Sequence, residues 1–182
     1  MRRAVFLDRD GTLNPDPGYI SNPDDFDLFP GVPQALARLK KAGYLLILIT
    51  NQSGISRGLI TRQQLDLVHQ KMQNLLAAAD ANLDAIYFCP HHPEHPLNGI
   101  AVCECRKPQP GMIRQAMKDF DIDLTKSYVI GDRSKDIQIA INAGVRPICI
   151  RPQPAAGYEN VPTFASLTEA VDWLLAEAAN KN

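Results

Sequence analysis

Short apolar runs alternate with amphipathic helical patterns along the chain, and this alternation limits the fold more than any other feature of the sequence. The runs have the length of strands and cover residues 4–7, 44–49, 85–88, 128–130 and 146–150. Helical patterns lie between or after them, at 33–43, from 61 onwards, at 111–120, 134–144 and 166–178. Such alternation is typical of a parallel sheet covered by helices on both faces. The sequence therefore predicts an α/β fold, a doubly wound, Rossmann-like parallel sheet in three layers.

Residues that favour helix ends border these patterns. Thr61 with Gln64 three residues later predicts a capping box at the start of the second helix. Ser134 is expected to cap the fourth helix, and Gly144 to end it.

Size and composition exclude several classes of protein. At 182 residues the chain fits a single domain, residues 1–182, and its formal net charge of -1 shows no basic excess of the kind that nucleic-acid binding requires. No apolar stretch approaches the roughly 20 residues of a membrane span, and Met1–Arg3 leads directly into the first strand without a signal segment. We expect a cytoplasmic monomer that binds neither nucleic acid nor membrane.

Polar side chains follow three of the predicted strands. Asp8 and Asp10 follow the first strand, Thr50 the second and Asp132 the fourth, and Lys107 precedes the helix that leads to the fourth strand. Because open α/β sheets bind ligands at the carboxyl ends of their strands, these groups are expected to meet at one edge. Carboxylates suit Mg²⁺, and a lysine with a hydroxyl suits phosphoryl oxygens. The opposing interpretation is that Asp10 and Gly11 form only a turn.

Four segments resemble, in order and spacing, the motifs of the haloacid dehalogenase superfamily of phosphatases. They are FLDRDGTL at 6–13, TNQ at 50–52, KP at 107–108 and GDRSKD at 131–136. The resemblance implies that Asp8 is the nucleophile that forms an aspartyl-phosphate and that Asp10 acts as acid and then base. It also implies that Thr50 and Lys107 stabilise the transferring phosphoryl group.

The same resemblance implies a Mg²⁺ site at Asp8, the backbone carbonyl of Asp10, and Asp132. Asp136 has two interpretations, a carboxylate near the metal or an ordinary acidic residue in the first turn of a helix, where the helix dipole favours it. Arg133 could reach substrate, whereas Lys135 is interpreted as a solvated charge and Arg57 as a weaker candidate.

Three of the four cysteines lie in one proline- and histidine-rich segment, residues 89–105. Cys89, Cys103 and Cys105 with one imidazole have the composition of a closed tetrahedral Zn²⁺ site, and unliganded thiols are the alternative. On spacing alone His91, His92 and His95 compete for the fourth position. Cys149, inside an apolar run, is expected to be a core residue.

The zinc loop, CPHHPE followed by CECRKPQPGM, is similar to that of the heptose 1,7-bisphosphate phosphatases and of the related histidinol-phosphate phosphatases. This resemblance implies that His91 is the fourth zinc ligand and that the zinc is structural. With no room for a cap domain, substrate selection is expected to depend on a flap at residues 15–33 and on the zinc loop. The expected substrate-binding residues are Arg9, Asp16, Pro17, Gly18, Tyr19, Asn51, Gln52, Ser53, Arg106 and Arg133.

The resemblance implies removal of the 7-phosphate of D-glycero-D-manno-heptose 1,7-bisphosphate, a step toward ADP-heptose and the lipopolysaccharide core. Arg106 beside Lys107 favours a second phosphate over the ammonium and imidazole of histidinol phosphate, the alternative substrate. Two further alternatives stay open: a non-catalytic, zinc-stabilised binding module, and phosphate transfer to an acceptor other than water.

Overall fold

The computed structural model describes residues 1–153 and 156–180, and its centre is one six-stranded sheet. The strands are β1 (Ala4–Leu7), β2 (Leu45–Asn51), β3 (Ala85–Cys89), β4 (Tyr128–Gly131), β5 (Arg146–Ile150) and β6 (Thr163–Phe164). The helices are α1 (Val32–Lys41), α2 (Arg62–Ala77), α3 (Gly111–Asp119), α4 (Ser134–Ala143) and α5 (Leu167–Ala179).

All strand pairs are parallel, in the order β3-β2-β1-β4-β5-β6. The chain therefore starts in the middle of the sheet: Val5 pairs with Leu46 of β2 on one side and with Tyr128 of β4 on the other. This order puts the carboxyl ends of β1, β2 and β4 next to one another. The predicted doubly wound parallel sheet is confirmed.

The two faces of the sheet pack against different helices, which gives three layers. Because side chains alternate along a strand, Val5 and Leu7 belong to a core with α1, α2 and α5, whereas Ala4 and Phe6 belong to a core with α3 and α4. Every residue of β1 is buried, which explains why this strand is an uninterrupted apolar run.

The observed helix ends match the predicted capping residues at two positions and differ at one. Thr61 and Gln64 form the predicted capping box, and Gly144 ends α4 in the left-handed conformation at φ 70°. The expectation that Ser134 caps α4 is wrong. The cap residue is Arg133, whose backbone N–H donates to the Asp136 carboxylate at 3.0 Å, so Ser134 is the first residue inside the helix.

Two irregular segments lie over the carboxyl edge of the sheet. The flap after β1 contains one short 3-10 turn, Pro23–Asp25, and its Ile20 and Phe26 are buried in the same core as α1 and α2. The cysteine-rich loop follows β3. Neither segment contains a cap domain within the part of the chain that the structure describes, as predicted. Across the same residues, no helix combines the length and apolar character needed to cross a bilayer.

Candidate active site

Asp8 and Asp10 lie where β1 ends, in the middle of the carboxyl edge. The Asp8 backbone N–H donates to the Ile130 carbonyl of β4 at 3.0 Å, so the chain is still paired when it reaches this carboxylate. Gly11 then takes a φ of 85°, and its N–H donates to the Asn14 carbonyl at 2.8 Å. Asp10-Gly11 is thus a turn, as the opposing interpretation had it, but a turn that aims two acidic side chains at the site.

Lys107 is buried between two carboxylates. Its Nζ lies 2.7 Å from Asp8 Oδ1 and 2.6 Å from Asp136 Oδ1, and donates to the Ile49 carbonyl at 2.9 Å. Burial alone would lower the pKa of this lysine, but the two carboxylates outweigh burial and raise it. Lys107 is therefore a permanent cation beside Asp8.

Asn51 fixes the backbone at Lys107. Its side-chain amide donates to the Lys107 carbonyl at 3.2 Å, and its carbonyl oxygen accepts the Lys107 N–H at 3.0 Å. Asn51 also lies along the cavity described below. The end of β2 thereby sets the position of a residue far away in the sequence.

Asp10 accepts four hydrogen bonds. Arg9 donates from Nε to Oδ1 at 3.0 Å and from Nη2 to Oδ2 at 2.9 Å, Asn14 donates to Oδ1 at 3.0 Å, and Gln52 donates to Oδ2 at 2.8 Å. The Gln52 amide also donates to the Thr50 hydroxyl at 2.9 Å. The side chains of Asp10 and Thr50 are therefore joined through one amide.

Two further acidic residues, Asp132 and Asp136, lie beside Asp8. Oxygens of Asp8, Asp132 and Asp136 lie within 4.8 Å of one another, and among the described residues the buried Oδ1 of Asp132 has no hydrogen-bond partner. Burial, together with the charges of Asp8 and Asp136, raises the pKa of Asp132 to about 6. A hard divalent cation would give the unpartnered oxygen a ligand bond and would offset the crowded negative charge. These residues fit a Mg²⁺ ion.

The position of Asp136 fits both of its interpretations. It lies in the first turn of α4 and accepts the Arg133 N–H, and it also forms the ion pair with Lys107 inside the acidic cluster. The sequence does not predict this ion pair, because the pair depends on how α3 and α4 pack on the sheet.

A cavity of about 310 Å³ opens above these groups. The flap forms one side of it: Asp16 pairs with Arg133, and the Tyr19 hydroxyl lies 3.2 Å from Ser53 Oγ. The predicted site residues along it are Asp8, Asp10, Asp16, Gly18, Tyr19, Thr50, Asn51, Gln52, Ser53, Arg106 and Arg133.

Three of the predicted catalytic and substrate-binding residues do not line the cavity, whereas two unpredicted residues do. Lys107 is below the floor against Asp8, Pro17 is exposed outside the lining, and Arg9 is fully buried with no surface for a substrate to contact. His92 and Lys135 face the cavity. On spacing alone His92 competes with His91 as a zinc ligand, but the folded loop places His91 with the cysteines and His92 along the cavity.

The cysteine-rich loop brings four ligand atoms together. Cys105 Sγ lies 3.0 Å from Cys89 Sγ, 3.3 Å from Cys103 Sγ and 3.3 Å from His91 Nδ1. Close approach of three free thiols and an imidazole fits a tetrahedral metal ion such as Zn²⁺. His92 and His95 instead group with Glu94. Cys149 is buried against Ile137, as expected of a core residue.

Arg106 joins the loop to the cavity. Its Nη1 donates to the His91 carbonyl at 2.8 Å, and its side chain lies along the cavity. The cysteine-rich loop therefore supports a cation that lies along the cavity.

Sequence comparisons place the chain among phosphatases. The family model described as polynucleotide kinase 3 phosphatase matches residues 4–147. The chain is 42% identical over 179 residues to D-glycero-beta-D-manno-heptose-1,7-bisphosphate 7-phosphatase of Salmonella typhi, covering 97% of this chain and 92% of the relative. The protein of the same name from Haemophilus influenzae is 47% identical over 146 residues, covering 80% and 79%.

The chain is also similar to solved structures of phosphatases. The D,D-heptose 1,7-bisphosphate phosphatase of B. bronchiseptica, complexed with magnesium and phosphate, superposes with a TM-score of 0.85 at 35% identity and covers 96% of this chain and 99% of its own. A putative HAD-like phosphatase from Mesorhizobium loti has a TM-score of 0.84 at 31% identity, covering 95% and 87%.

Proposed function

We propose that this chain, which belongs to the heptose 1,7-bisphosphate 7-phosphatase family of the haloacid dehalogenase superfamily, hydrolyses the 7-phosphate of D-glycero-D-manno-heptose 1,7-bisphosphate. The observation that carries the proposal is Asp8 ion-paired to a buried lysine at the floor of a cavity that also holds Asp10. The product is a precursor of ADP-heptose and of the lipopolysaccharide core.

The reaction proceeds in two halves. An Asp8 oxygen attacks the 7-phosphorus, the bond between phosphorus and O7 breaks, and Asp10 delivers a proton to the departing alkoxide. Water then attacks the aspartyl-phosphate, Asp10 takes a proton from that water, and the bond from phosphorus to Asp8 breaks to release inorganic phosphate. Lys107 and Thr50 stabilise the negative charge of the phosphoryl oxygens.

A bound Mg²⁺ would be held by Asp8, Asp132 and the Asp10 carbonyl, and it supplies positive charge that aligns the phosphoryl group. The unpartnered Asp132 oxygen supports this assignment, as does the magnesium in the B. bronchiseptica phosphatase. Zn²⁺ at Cys89, His91, Cys103 and Cys105 would be structural, because four protein ligands leave no open coordination position. We further propose that the protein is a cytoplasmic monomer that binds neither nucleic acid nor membranes.

Cations along the cavity favour a substrate with a second phosphate. Arg106, Arg133 and Lys135 all line it. Histidinol phosphate would bring an ammonium group close to these cations, and this repulsion costs free energy. A sugar bisphosphate therefore suits the cavity better.

The Arg106→Ala variant tests this assignment of the second phosphate. We expect kcat/KM for the heptose bisphosphate to fall roughly 10- to 100-fold, the range for a lost charge-assisted hydrogen bond. The loss for heptose 7-phosphate should be several-fold smaller. Equal losses for both would remove the reason to place the second phosphate at Arg106.

The function itself is tested by phosphate release with Mg²⁺, side by side, from the α and β heptose bisphosphates, histidinol phosphate and a 3′-phosphorylated oligonucleotide. We expect a heptose bisphosphate to be the best substrate and Asp8→Asn to reduce its turnover by at least about 10³-fold. Preference for histidinol phosphate or the oligonucleotide would contradict the proposal. No release from any substrate, with normal ligand binding by Asp8→Asn, would favour the non-catalytic module, and a phosphorylated acceptor among the products would indicate transfer.

A further inference from the structure

Arg9 is a fully buried arginine in contact with the proposed acid and base. It has 0% of its surface exposed, so substrate cannot touch it. Its Nε and Nη2 form the two parallel hydrogen bonds to Asp10, and Nη2 also approaches the Gln52 carbonyl oxygen at 3.3 Å. A planar guanidinium that binds both oxygens of a carboxylate fixes the plane of that carboxylate as well as its position.

The remaining nitrogen of Arg9 faces a histidine from α2. Arg9 Nη1 lies 3.4 Å from His69 Nε2, and His69 is itself only 7% exposed. A guanidinium has donors and no acceptor. The contact is therefore a hydrogen bond only if Nε2 carries a lone pair, in a neutral imidazole protonated on Nδ1. Burial and the charge of Arg9 lower the pKa of His69 to about 3, which agrees with this neutral form.

An aromatic contact also helps to hold the His69 ring in place. Its ring packs edge to face against Phe88 of β3, with centroids 6.1 Å apart. His69 thus fixes one end of the guanidinium while Asp10 binds the other. Without an acceptor at Nε2, a buried charged donor would lose its partner, and the arginine would be free to turn away from Asp10.

We propose that Arg9 and His69 are positioning residues that hold the Asp10 carboxylate in the orientation needed to accept a proton from the hydrolytic water. This inference rests on the proposed function, in which Asp10 serves as the base of the second half-reaction. In that step the water oxygen bonds to phosphorus, its proton goes to Asp10, and the Asp8 carboxylate leaves. A misoriented Asp10 slows this step and prolongs the life of the aspartyl-phosphate.

The test uses 4-nitrophenyl phosphate, whose leaving group departs without protonation, so the first half-reaction needs no acid. Acid quenching during steady-state turnover, followed by intact-protein mass spectrometry, gives the phosphorylated fraction. His69→Leu removes the acceptor and keeps an apolar side chain of similar size. We expect its phosphorylated fraction to rise clearly above that of the wild type and its kcat to fall about 10-fold, with little change in the rate of the first turnover.

Two variants separate positioning from general damage. His69→Gln keeps an acceptor oxygen, and we expect it to restore both quantities to within about threefold of the wild type. Leu76→Ala lies further along α2 in the core, and it should lower thermal stability without changing the phosphorylated fraction. Arg9→Lys keeps the charge but loses the two parallel hydrogen bonds, and should behave like His69→Leu if that variant folds poorly.

An unchanged phosphorylated fraction in His69→Leu and Arg9→Lys would overturn the inference, as would equal damage from His69→Gln. These outcomes are distinct from failure of the proposed function. If Asp8→Asn did not abolish phosphorylation, or the heptose bisphosphate were not hydrolysed, the reaction or its substrate would be wrong whatever His69 does.

Discussion

Gly11 lets Asp132, the residue that follows β4, approach the turn after β1. Its φ of 85° lies in the left-handed region, and a Cβ built there would lie 2.4 Å from Asp132 Oδ2. Any side chain at this position would therefore strain the backbone and would also push the Asp132 carboxylate away.

We expect Gly11→Ala to lower the free energy of unfolding by about 1–3 kcal/mol and to raise the Mg²⁺ concentration needed for half-maximal activity several-fold. Urea unfolding and Mg²⁺ titration of activity measure the two effects. Gly144→Ala is the matched control, since Gly144 has a φ of 70° but nothing within 4 Å of a built Cβ. Gly144→Ala should lower the free energy of unfolding without changing the Mg²⁺ concentration needed for half-maximal activity. If both variants needed more Mg²⁺, the change could not be assigned to contact with Asp132.

Single residues differ in how far the sequence reveals them. Asp8 and Asp10 follow an apolar run, so local pattern alone suggests their position. The ion pair of Lys107 with Asp136 and the burial of Arg9 are set by packing between distant segments, and no local pattern contains them. A charged residue in a motif is easily assigned to substrate, whereas Arg9 turns out to have no exposed surface.

At the scale of elements, the cysteine-rich loop connects the edge strand β3 to the cavity. Cys89 is the last residue of β3, and Arg106 follows Cys105 directly. Because the loop has few apolar residues in the core, we expect its shape to depend on a metal ion bound at Cys89, His91, Cys103 and Cys105.

We expect the purified wild type to hold about one zinc ion per chain and Cys103→Ser to lose most of it. Without the ligand cluster, Arg106 loses its support, so KM for the heptose bisphosphate should rise about 10-fold or more. Metal analysis and steady-state kinetics measure these changes. Cys149→Ala, a core cysteine of β5, serves as the control and should keep its zinc. Full activity of zinc-free Cys103→Ser would show that the loop is ordered without metal.

Helices and strands with a clear hydrophobic or capping pattern can be predicted from the sequence, whereas those without such a pattern cannot. The apolar run at β2 and the capping box at Thr61 each identify their element from sequence alone. β6, Thr163–Phe164, is too short for any periodicity and exists because it pairs with β5. The cap of α4 was misplaced by one residue because Asp136, rather than Ser134, supplies the hydrogen bond.

For the molecule as a whole, the acidic cluster links stability to pH. Asp132 has a pKa of about 6 in the folded protein against an ordinary value of 3.8. Between these values the folded state binds more protons than the unfolded state. The contribution of Asp132 to the free energy of unfolding is therefore fully present below about pH 4 and is lost as the pH rises through about 6.

We expect the metal-free protein in chelator to lose about 2–3 kcal/mol of stability between pH 4 and pH 7, relative to Asp132→Asn. The Asp132→Asn variant has no ionisable group at this position, so the pH dependence of its stability comes from all the other titrating groups. Mg²⁺ should restore the stability of the wild type at pH 7 and have a smaller effect on the variant. Parallel pH curves for the two proteins would contradict this origin of the pH dependence.

The central position of β1 has a consequence for refolding. Asp8, Thr50, Lys107 and Asp132 come from four distant parts of the chain, and β1 pairs with β2 and β4 on either side. A one-residue slip of either pairing would turn every side chain of a strand to the opposite face. Recovery of phosphatase activity after denaturation therefore reports correct strand alignment, which a spectroscopic measure of helix and sheet content would not distinguish.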